Sequence, residues 1–384
     1  MKFLGYRRDN GSVGIRNHVL LLPLDAVSCQ VCKGVNSLIA GTTTFYHPYG
    51  RMQFGEDLDL HFRTLIGCGC NPNVAAVIVV GIEQNWTDRI AKGIESSGKP
   101  VASFSTSGNG DLKTIEVASR KAAELVSYAT SLRREKIDIS ELFIGLKCGE
   151  SDTTSGLASN PATGFVADKL IEAGASLVFG ETPELTGAED VVRLKFATSK
   201  LGDEFHKIWK DYFDFILSKG VDLLGSQPNE GNIAGGITTI EEKALGNIQK
   251  LGTSEIVGIL KTCEAKDKKR SGLFFMNTSS AAADILTAFA ASGVQATLFT
   301  TGQGNNVGSV ICPTIKICAN SQAVADSNEN LDVDVSDIIE SDMSLDGASK
   351  NILSKLVSVC SGQLCAAEIL KHNEFAPIRI HCQA

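Results

Sequence analysis

One local pattern repeats along the chain: a continuous apolar run, then polar or glycine-rich residues, then an amphipathic segment that ends at glycine. The clearest apolar runs are HVLLLPL (18–24), VAAVIVVG (74–81), LFIGL (142–146) and SGLFFMN (271–277). Runs of Val, Ile, Leu and Phe without polar alternation indicate strands that are buried on both faces, as in parallel sheets covered by helices. The sequence therefore predicts an α/β fold made of two blocks of parallel, Rossmann-like strand–helix units.

Polar residues are concentrated directly after these runs. The densest segment is KCGESDTTSG at 147–156, which carries one thiol, two carboxylates and four hydroxyls. Open α/β sheets bind ligands beyond the carboxyl ends of their strands, and a segment of this composition has little to bury. We therefore predict that the strand-end loops form one site.

The charged helical stretch at 115–141 resembles a connector, because it follows one α/β block and precedes another. We place a domain boundary there, which predicts an N-terminal α/β domain at 1–135 and a C-terminal α/β domain at 136–384. The residues beyond 330 contain a further helical pattern, which we expect to pack as an appendage on the second domain.

Composition excludes several functional classes. With 384 residues and 43% apolar content, the chain is long enough for two domains with real cores. Its formal net charge is -8 and no basic block occurs, which argues against a nucleic-acid partner. No uninterrupted apolar segment approaches the ~20 residues that cross a bilayer, and the N-terminal apolar stretch is too short for a signal peptide. We expect a cytoplasmic globular protein that engages no membrane.

The eleven cysteines do not suggest a disulfide framework, which belongs to short secreted domains. Cys29/Cys32 and Cys68/Cys70 have metal-ligand spacing, yet neither pair has a second pair at zinc-ribbon or ferredoxin distance. Six further cysteines occur singly and are expected to be reduced and buried. These are Cys263, Cys312, Cys318, Cys360, Cys365 and Cys382.

Several long stretches carry a resemblance to a known family. They are GYRRDNGSVGIRNHVLLLPLD, HPYGRMQFGEDLDLHFRTLIG, NPNVAAVIVVGIE, KCGESDTTSG, FGETPELTGAE, GNIAGGITTIEEKALGNIQK, TGQGN and PTIKICAN. Together they resemble the altronate/galactarate dehydratase superfamily and, within it, the sulfolactate sulfo-lyase branch. The resemblance runs from the N-terminus to about residue 320 and continues more weakly to the end. It implies a cytoplasmic lyase that acts on a 2-hydroxy acid with Fe(2+) or another divalent metal.

Two positions separate the branches of this superfamily. Sugar-acid dehydratases tend to have cysteine after the HP(Y/F)G motif and arginine in TTGRG, whereas this chain has Arg51 and Gln303. Both residues follow the sulfo-lyase pattern. The resemblance therefore implies a carbon–sulfur lyase that converts (2R)-3-sulfolactate to pyruvate and sulfite. A sugar-acid dehydratase of the altronate or galactarate type, giving a 2-keto-3-deoxy acid, is the alternative.

The resemblance also implies a partner. Sugar-acid members usually carry a small β-clip domain ahead of the catalytic region, whereas this sequence starts directly at the catalytic region. The sulfo-lyase-like members supply that domain as a separate small subunit. We therefore expect a heteromer with a small β-clip subunit, assembled as an oligomer.

The elimination reaction that the resemblance implies requires removal of a weakly acidic C2 proton and departure of the group on C3. A divalent cation chelated by the substrate carboxylate and C2 hydroxyl stabilises the resulting enediolate as a Lewis acid. We predict Cys148, Glu83 and Glu181 as metal ligands, because each stands at a predicted strand end, and His47 is a further candidate as ligand or base. The base is His47, which has a near-neutral pKa, or Lys147, if burial near a metal lowers its pKa. The sequence does not rank these two residues.

Arg51 is the predicted sulfonate-binding residue, because a guanidinium presents paired donors to a tetrahedral oxyanion. The alternative is that it pairs with Glu56 or Asp57. The predicted donors to the substrate carboxylate are Ser151, Ser155, Asn232, Thr300, Thr301, Gln303 and Asn305.

The sequence disfavours two functions of other classes. A nucleotide-binding module is disfavoured, because no G-x-G-x-x-G follows the first strand and no G-x-x-x-x-G-K-[ST] occurs anywhere. A non-catalytic scaffold subunit is disfavoured by the dense polar residues at strand ends, which a scaffold has no reason to collect.

Overall fold

The computed structural model describes residues 1–223 and 227–379, which form three β-sheets surrounded by helices. The strands are β1 Lys2–Arg7, β2 Val13–Gly14, β3 His18–Pro23, β4 Thr42–Thr44, β5 Val74–Gly81, β6 Val101–Ser105, β7 Glu135–Asp138, β8 Phe143–Gly149, β9 Ser176–Phe179, β10 Ile256–Leu260, β11 Gly272–Met276, β12 Ala296–Thr301, β13 Thr314–Cys318 and β14 Val333–Asp334. No helix within the two ranges is long and apolar enough to cross a membrane.

The helices lie between these strands. They are α1 Cys29–Leu38, α2 Gly55–Cys70, α3 Gln84–Glu95, α4 Gly110–Ser131, α5 Asn160–Glu172, α6 Glu189–Leu194, α7 Ser199–Ser218, α8 Glu230–Ala234, α9 Ile240–Asn247, α10 Ala282–Ala291, α11 Ser321–Ser327, α12 Asp337–Glu340, α13 Leu345–Cys360 and α14 Ala366–Ile369. A 3-10 turn at Ile248–Leu251 continues directly from α9, and a π-helical turn at Ser155–Ser159 precedes α5.

Two of the sheets are parallel throughout, which confirms the predicted α/β class. The first has four strands in the order β4-β3-β5-β6, and the second has seven in the order β10-β11-β9-β8-β12-β13-β14. The four apolar runs of the sequence correspond to β3, β5, β8 and β11. All eight residues of β5 are buried, as expected for a strand covered by helices on both faces.

A third, small sheet was not predicted. Strand β1 pairs antiparallel with both β2 and β7, so that Lys2 lies opposite Asp138. This sheet joins the first residues of the chain to the segment that enters β8. The predicted domain boundary near 135 falls at the start of β7, and the division into two domains stays a prediction.

One hydrophobic core is shared by the two parallel sheets. Helices α2 and α10 pack against each other in the layer between them, and this core joins Val77 of β5 to Phe274 of β11. Burial of each such side chain contributes about 1.5–3 kcal/mol. The shared core holds the carboxyl ends of the two sheets in a fixed relation.

The cysteines match the prediction of buried, reduced thiols within the described residues. All ten cysteines in these ranges are free, and only Cys70 among them is partly exposed. Cys382 lies outside the described residues. Burial raises the pKa of the Cys32 and Cys68 thiols well above their ordinary value, which makes them unreactive.

Candidate active site

The centre of the site is built by the neighbouring strands β8 and β9. Their register places Leu146 opposite Phe179, so Lys147 and Glu181 follow side by side at the carboxyl ends. Glu181 has φ of 66°, in the left-handed region that residues other than glycine seldom adopt. Its backbone N–H donates to Thr278 Oγ1 at 2.9 Å, which holds this conformation. Backbone strain of this kind is concentrated at functional sites.

The Glu181 carboxylate lies between two lysines. Lys147 Nζ is 2.6 Å from Glu181 Oε1, and Lys250 Nζ forms an ion pair with Oε2 at 2.7 Å without an aligned hydrogen bond. All three side chains are at most 1% exposed. Removing three charges from water costs several kcal/mol per ion, so a packed apolar cluster would serve folding equally well. The arrangement therefore suggests a role in binding charge.

The pKa values follow from this geometry. Burial disfavours the charged form of Glu181, but the Lys147 and Lys250 ammonium groups outweigh burial and lower the pKa of Glu181 to about 2. Burial also opposes the charge on Lys147, yet the Glu181 and Glu184 carboxylates raise the pKa of Lys147 above its ordinary value. The expectation that burial lowers the pKa of Lys147 is therefore wrong for this structure. A lysine held in its charged form is a poor base and a good electrostatic stabiliser.

Helix α9 and the 3-10 turn after it supply a polar face. Lys243, Asn247 and Lys250 stand at positions i, i+4 and i+7 and are all buried. Lys243 Nζ lies 2.9 Å from Asn232 Oδ1 and 3.8 Å from Glu184 Oε1. Three buried ammonium groups thus face two carboxylates, and burial raises the pKa of Glu184 toward its neutral form. The region carries an excess of positive charge.

Asn247 has a buried donor that is not satisfied within the described residues. Its Oδ1 accepts a hydrogen bond from Lys250, whereas its Nδ2 has no hydrogen-bond partner there. Buried polar groups are nearly always paired, so an unpaired amide beside a cavity indicates a position for a ligand atom.

The Cys148 side chain belongs to a second polar network, which adjoins the first because the Cys148 backbone N–H donates to Glu181 Oε1 at 3.4 Å. Its Sγ is 2.8 Å from Ser151 Oγ and 3.6 Å from Asn160 Nδ2. Thr300 lies opposite Cys148 on β12 and donates to Asn160 Oδ1 at 2.6 Å. The structure therefore brings the predicted residues Cys148, Ser151 and Thr300 together through Asn160.

A cavity of about 580 Å³ adjoins these residues. Ser151 and Ser155 line one side, and Lys243 and Asn247 line the other. The two walls meet where Gly156 lies against Gly246, because a Cβ atom on Gly246 would come within 3.1 Å of the Gly156 Cα. This volume is within the range of small-ligand sites.

The loop after β12 holds the remaining predicted donors. Gln303 Nε2 donates to Gly231 O at 2.5 Å, and Asn305 Oδ1 accepts from Lys316 Nζ at 2.9 Å. Asn232 Nδ2 donates to Ser151 O at 2.8 Å, while the buried Thr301 hydroxyl has no partner among the described residues. Asn232 Nδ2 and Gln303 Nε2 therefore tie loops together by donating to backbone carbonyls, whereas Asn305 is held through its Oδ1.

His47, Arg51 and Glu83 lie elsewhere, at the carboxyl ends of the four-stranded sheet. Arg51 and Glu83 are exposed and line a cavity of about 190 Å³ beside Asp25. Glu83 precedes the first turn of α3. The predicted side chains therefore form two groups, one at each parallel sheet.

His47 is buried and uses both ring nitrogens. Its Nε2 donates to Pro23 O at 3.0 Å, and its Nδ1 accepts from the Tyr49 N–H at 3.4 Å, which defines this tautomer. Burial lowers the pKa of His47, so its ring is neutral at neutral pH. The His61 ring lies 5.6 Å away between centroids, and its Nδ1 lacks a partner in the described part of the chain.

The predicted metal ligands do not form a metal site. Glu181 is engaged by two lysines, Cys148 contacts Ser151, and Glu83 lies at the other sheet. Within residues 1–223 and 227–379, no group of three or more His, Cys, Asp or Glu side chains could hold a metal ion. The residues present therefore do not fit a metal bound by this set of ligands.

Sequence reasoning missed several residues that build the site. They are Asn160, Glu184, Lys243, Asn247 and Lys250. A signal for three of them was present in KALGNIQK (243–250), whose polar residues repeat at helical spacing among apolar neighbours.

Comparisons with known proteins match nearly the whole chain. Residues 5–130 match the family "D-galactarate dehydratase/Altronate hydrolase, second domain", and residues 139–383 match "D-galactarate/Altronate dehydratase, C-terminal". The chain is 52% identical over 381 residues to (2R)-sulfolactate sulfo-lyase subunit beta of Chromohalobacter salexigens, covering 99% of this chain and 97% of that protein. It is 32% identical to altronate dehydratase of Bacillus subtilis, covering 98% and 77%, and 31% identical to altronate dehydratase of Escherichia coli, covering 87% and 69%.

Proposed function

The chain belongs to the D-galactarate/altronate dehydratase family, and from this premise we propose that it is a lyase that cleaves (2R)-3-sulfolactate to pyruvate and sulfite. The observation that carries the proposal is the 52% identity, over 99% of the chain, to a protein named for that reaction. Identity to the altronate dehydratases is 32% and 31%. Arg51 and Gln303 also follow the sulfo-lyase pattern.

The charge of the site supports an anionic substrate. Sulfolactate carries a carboxylate and a sulfonate, and the buried cluster beside the cavity holds Lys147, Lys243 and Lys250 against Glu181 and Glu184. Of these lysines, Lys243 lines the cavity itself, together with Asp152 and Glu242. An excess of buried ammonium groups attracts an anion strongly, because the local dielectric constant is low. The unpaired Nδ2 of Asn247 supplies a further donor at the cavity wall.

The proposed reaction is a β-elimination. A base takes the C2 proton, its electron pair forms the C2–C3 double bond, and the C3–S bond breaks so that sulfite leaves with its electrons. The enol then takes a proton at C3, loses the proton of its C2 hydroxyl and becomes pyruvate. Lys147 and Lys250 stabilise the negative charge that develops on the substrate carboxylate. The choice of base stays open between the two predicted residues: Lys147 is held in its charged form, whereas His47 is neutral but lies at the other parallel sheet with both ring nitrogens engaged by Pro23 O and the Tyr49 N–H.

The requirement for Fe(2+) or another divalent metal stays a prediction from the family resemblance. Such a metal would supply a Lewis acid for the enediolate. Since Cys148, Glu83 and Glu181 do not gather around one point, its ligands differ from that set.

We propose that the chain works with a smaller β-clip subunit. The name of the relative at 52% identity, "subunit beta", indicates a partner for that protein. Two apolar side chains at the mouth of the 580 Å³ cavity, Leu157 and Leu245, are 73% and 43% exposed. A partner that covers them would remove apolar surface from water and enclose the cavity.

A sugar-acid dehydratase is the second candidate, because the family matches and the altronate dehydratases also cover most of the chain. The deciding experiment is an assay of the chain, with its partner subunit and Fe(2+), on sulfolactate, altronate and galactarate. Sulfite and pyruvate released from sulfolactate at a kcat/KM at least 100-fold above the sugar acids would support the sulfo-lyase. A higher kcat/KM for altronate or galactarate than for sulfolactate would support the sugar-acid dehydratase.

A further inference from the structure

A second cavity lies away from the candidate active site. It has a volume of about 720 Å³ and is bounded by Phe143 and Ser176, which begin β8 and β9. Lys147 lies near the other end of β8, within the strand, and Glu181 follows the other end of β9. The cavity therefore occupies the amino ends of the seven-stranded sheet, at the edge opposite to the proposed catalytic residues.

Five cationic side chains line this cavity. They are Arg63, Lys266, Lys268, Lys269 and Arg270. No ion pair between described residues involves any of the five. Such a concentration of unneutralised cations stands out in a chain whose formal net charge is -8.

Backbone carbonyls hold several of these cations in place. Lys268 Nζ donates to Asn10 O at 3.0 Å, Lys266 Nζ to Arg270 O at 2.6 Å, and Arg63 Nη1 to Thr262 O at 3.2 Å. A carbonyl oxygen accepts a hydrogen bond but does not neutralise the charge. The cations are therefore positioned while their charge remains available to an anion.

Two carboxylates belong to the lining, and of these Glu264 keeps its charge beside the five cations, because no ion pair between described residues involves it. Glu141 lies 3.7 Å from Arg7 Nη1, which is not part of the cavity. Glu264 accepts a hydrogen bond from its near neighbour, the Lys261 N–H, at 2.7 Å. The five cations therefore outnumber the carboxylates of the lining.

The floor of the cavity is apolar. Val13, Ile66, Leu142, Phe143 and Ala291 line it. The Lys266 ammonium lies 5.7 Å from the centre of the Phe143 ring, where the cationic rim meets this floor. A ligand that fills the space must therefore be anionic at one end and apolar at the other.

We propose that this cavity binds an organic polyphosphate with an aromatic body, the chemistry shared by nucleotides and coenzyme A. Several closely spaced cations favour a group with more than one negative charge, and a phosphate chain provides this. The volume of about 720 Å³ lies within the range of small-ligand sites and is suited to such a molecule. The site is distinct from the proposed catalytic one and rests on its own residues.

The test measures ligand binding and not turnover, so that it stands apart from the proposed reaction. ATP, coenzyme A, inorganic triphosphate and adenosine are titrated into the full chain by calorimetry at low salt. We expect ATP or coenzyme A to bind at least tenfold more tightly than triphosphate or adenosine. Only the two larger molecules contact both the cationic side chains and the apolar side chains of the cavity. Whichever of ATP and coenzyme A binds more tightly identifies the class of ligand. Saturating sulfolactate should not displace the bound polyphosphate.

Two matched variants locate the binding. Lys268→Glu/Lys269→Glu should weaken binding of the preferred ligand at least tenfold, because it reverses two charges of the rim. Lys33→Glu/Lys113→Glu, which changes the net charge equally at exposed residues outside the cavity, should leave binding within twofold. Equal effects of the two double variants, displacement by sulfolactate, or no binding of either organic polyphosphate would overturn the proposal.

Discussion

The ammonium of Lys250 lies 2.7 Å from the Glu181 carboxylate, which also receives the Lys147 ammonium at 2.6 Å. A single carboxylate thus holds two buried lysines side by side and leaves one positive charge uncompensated within this trio. If the substrate is the proposed anionic hydroxy acid, that charge would favour its binding.

The substitution Glu181→Gln is expected to lower the free energy of unfolding by about 3–5 kcal/mol at pH 7, because it leaves two buried ammonium groups without their counter-ion. The difference from the parent chain should depend on pH. The lowered pKa of Glu181, about 2, means that its contribution is present above the ordinary value of 4.5 and is lost as pH falls toward 2.

Chemical denaturation of both proteins between pH 3 and pH 8 measures this difference. Glu116→Gln is the control, since Glu116 forms an exposed pair with Arg120 and should matter by less than about 1 kcal/mol. A constant gap between Glu181→Gln and the parent over this range would contradict the assigned charge state.

Lys250→Met is expected to lower kcat/KM for sulfolactate by roughly one to two decades, the value of one charge-assisted hydrogen bond to an anion. Lys250→Arg should retain part of the activity because it keeps the charge. Lys350→Met, at an exposed residue paired with Asp346, provides the control. Unchanged kinetics for Lys250→Met, with an unaltered melting temperature, would remove this lysine from the substrate site.

Arg51→Ala tests the sulfonate prediction. If Arg51 binds the sulfonate, kcat/KM should fall by about one to four decades on sulfolactate while the melting temperature hardly changes, because Arg51 is exposed. Glu56→Gln is assayed beside it, since an exposed pair with that carboxylate would be worth little. If Arg51→Ala has the same kinetics as the parent chain, Arg51 does not bind the sulfonate and no longer supports a sulfonate substrate.

Metal removal should abolish turnover, and Fe(2+) should restore it, if a Lewis acid stabilises the enediolate. Because Glu83 lies apart from Cys148 and Glu181, Glu83→Gln should leave the iron content unchanged. Both outcomes are read by elemental analysis together with a sulfite assay. Full activity of a protein shown to be metal-free would contradict the metal requirement. Loss of iron from the Glu83→Gln variant would contradict the prediction that Glu83 does not bind the metal.

Leu157→Glu/Leu245→Glu should weaken association with the smaller subunit by at least tenfold, because it places charge on the apolar mouth of the cavity. Leu194→Glu is the matched control, since Leu194 is 85% exposed and does not line that cavity. Sedimentation of the mixed subunits gives the affinities. Equal association of the double variant and the control would place the partner on another surface.

The sequence by itself determined the class of fold and the strands that carry the site. Continuous apolar runs predict doubly covered strands because burial on both faces leaves no room for alternation, and β3, β5, β8 and β11 appear where those runs stand. The polar segment after LFIGL likewise lies at a cavity wall, since the carboxyl ends of parallel strands meet at one edge of a sheet.

Only the tertiary structure decided which charges meet. Strand order places β9 beside β8, and this brings Glu181 to Lys147; the packing of α9 and its 3-10 turn then brings Lys250 to the same carboxylate. Apolar periodicity is a local property of the chain, whereas these contacts join residues far apart in sequence. The same long-range packing reversed the expected pKa shift of Lys147, because the nearby carboxylates, which no local pattern reveals, outweigh burial.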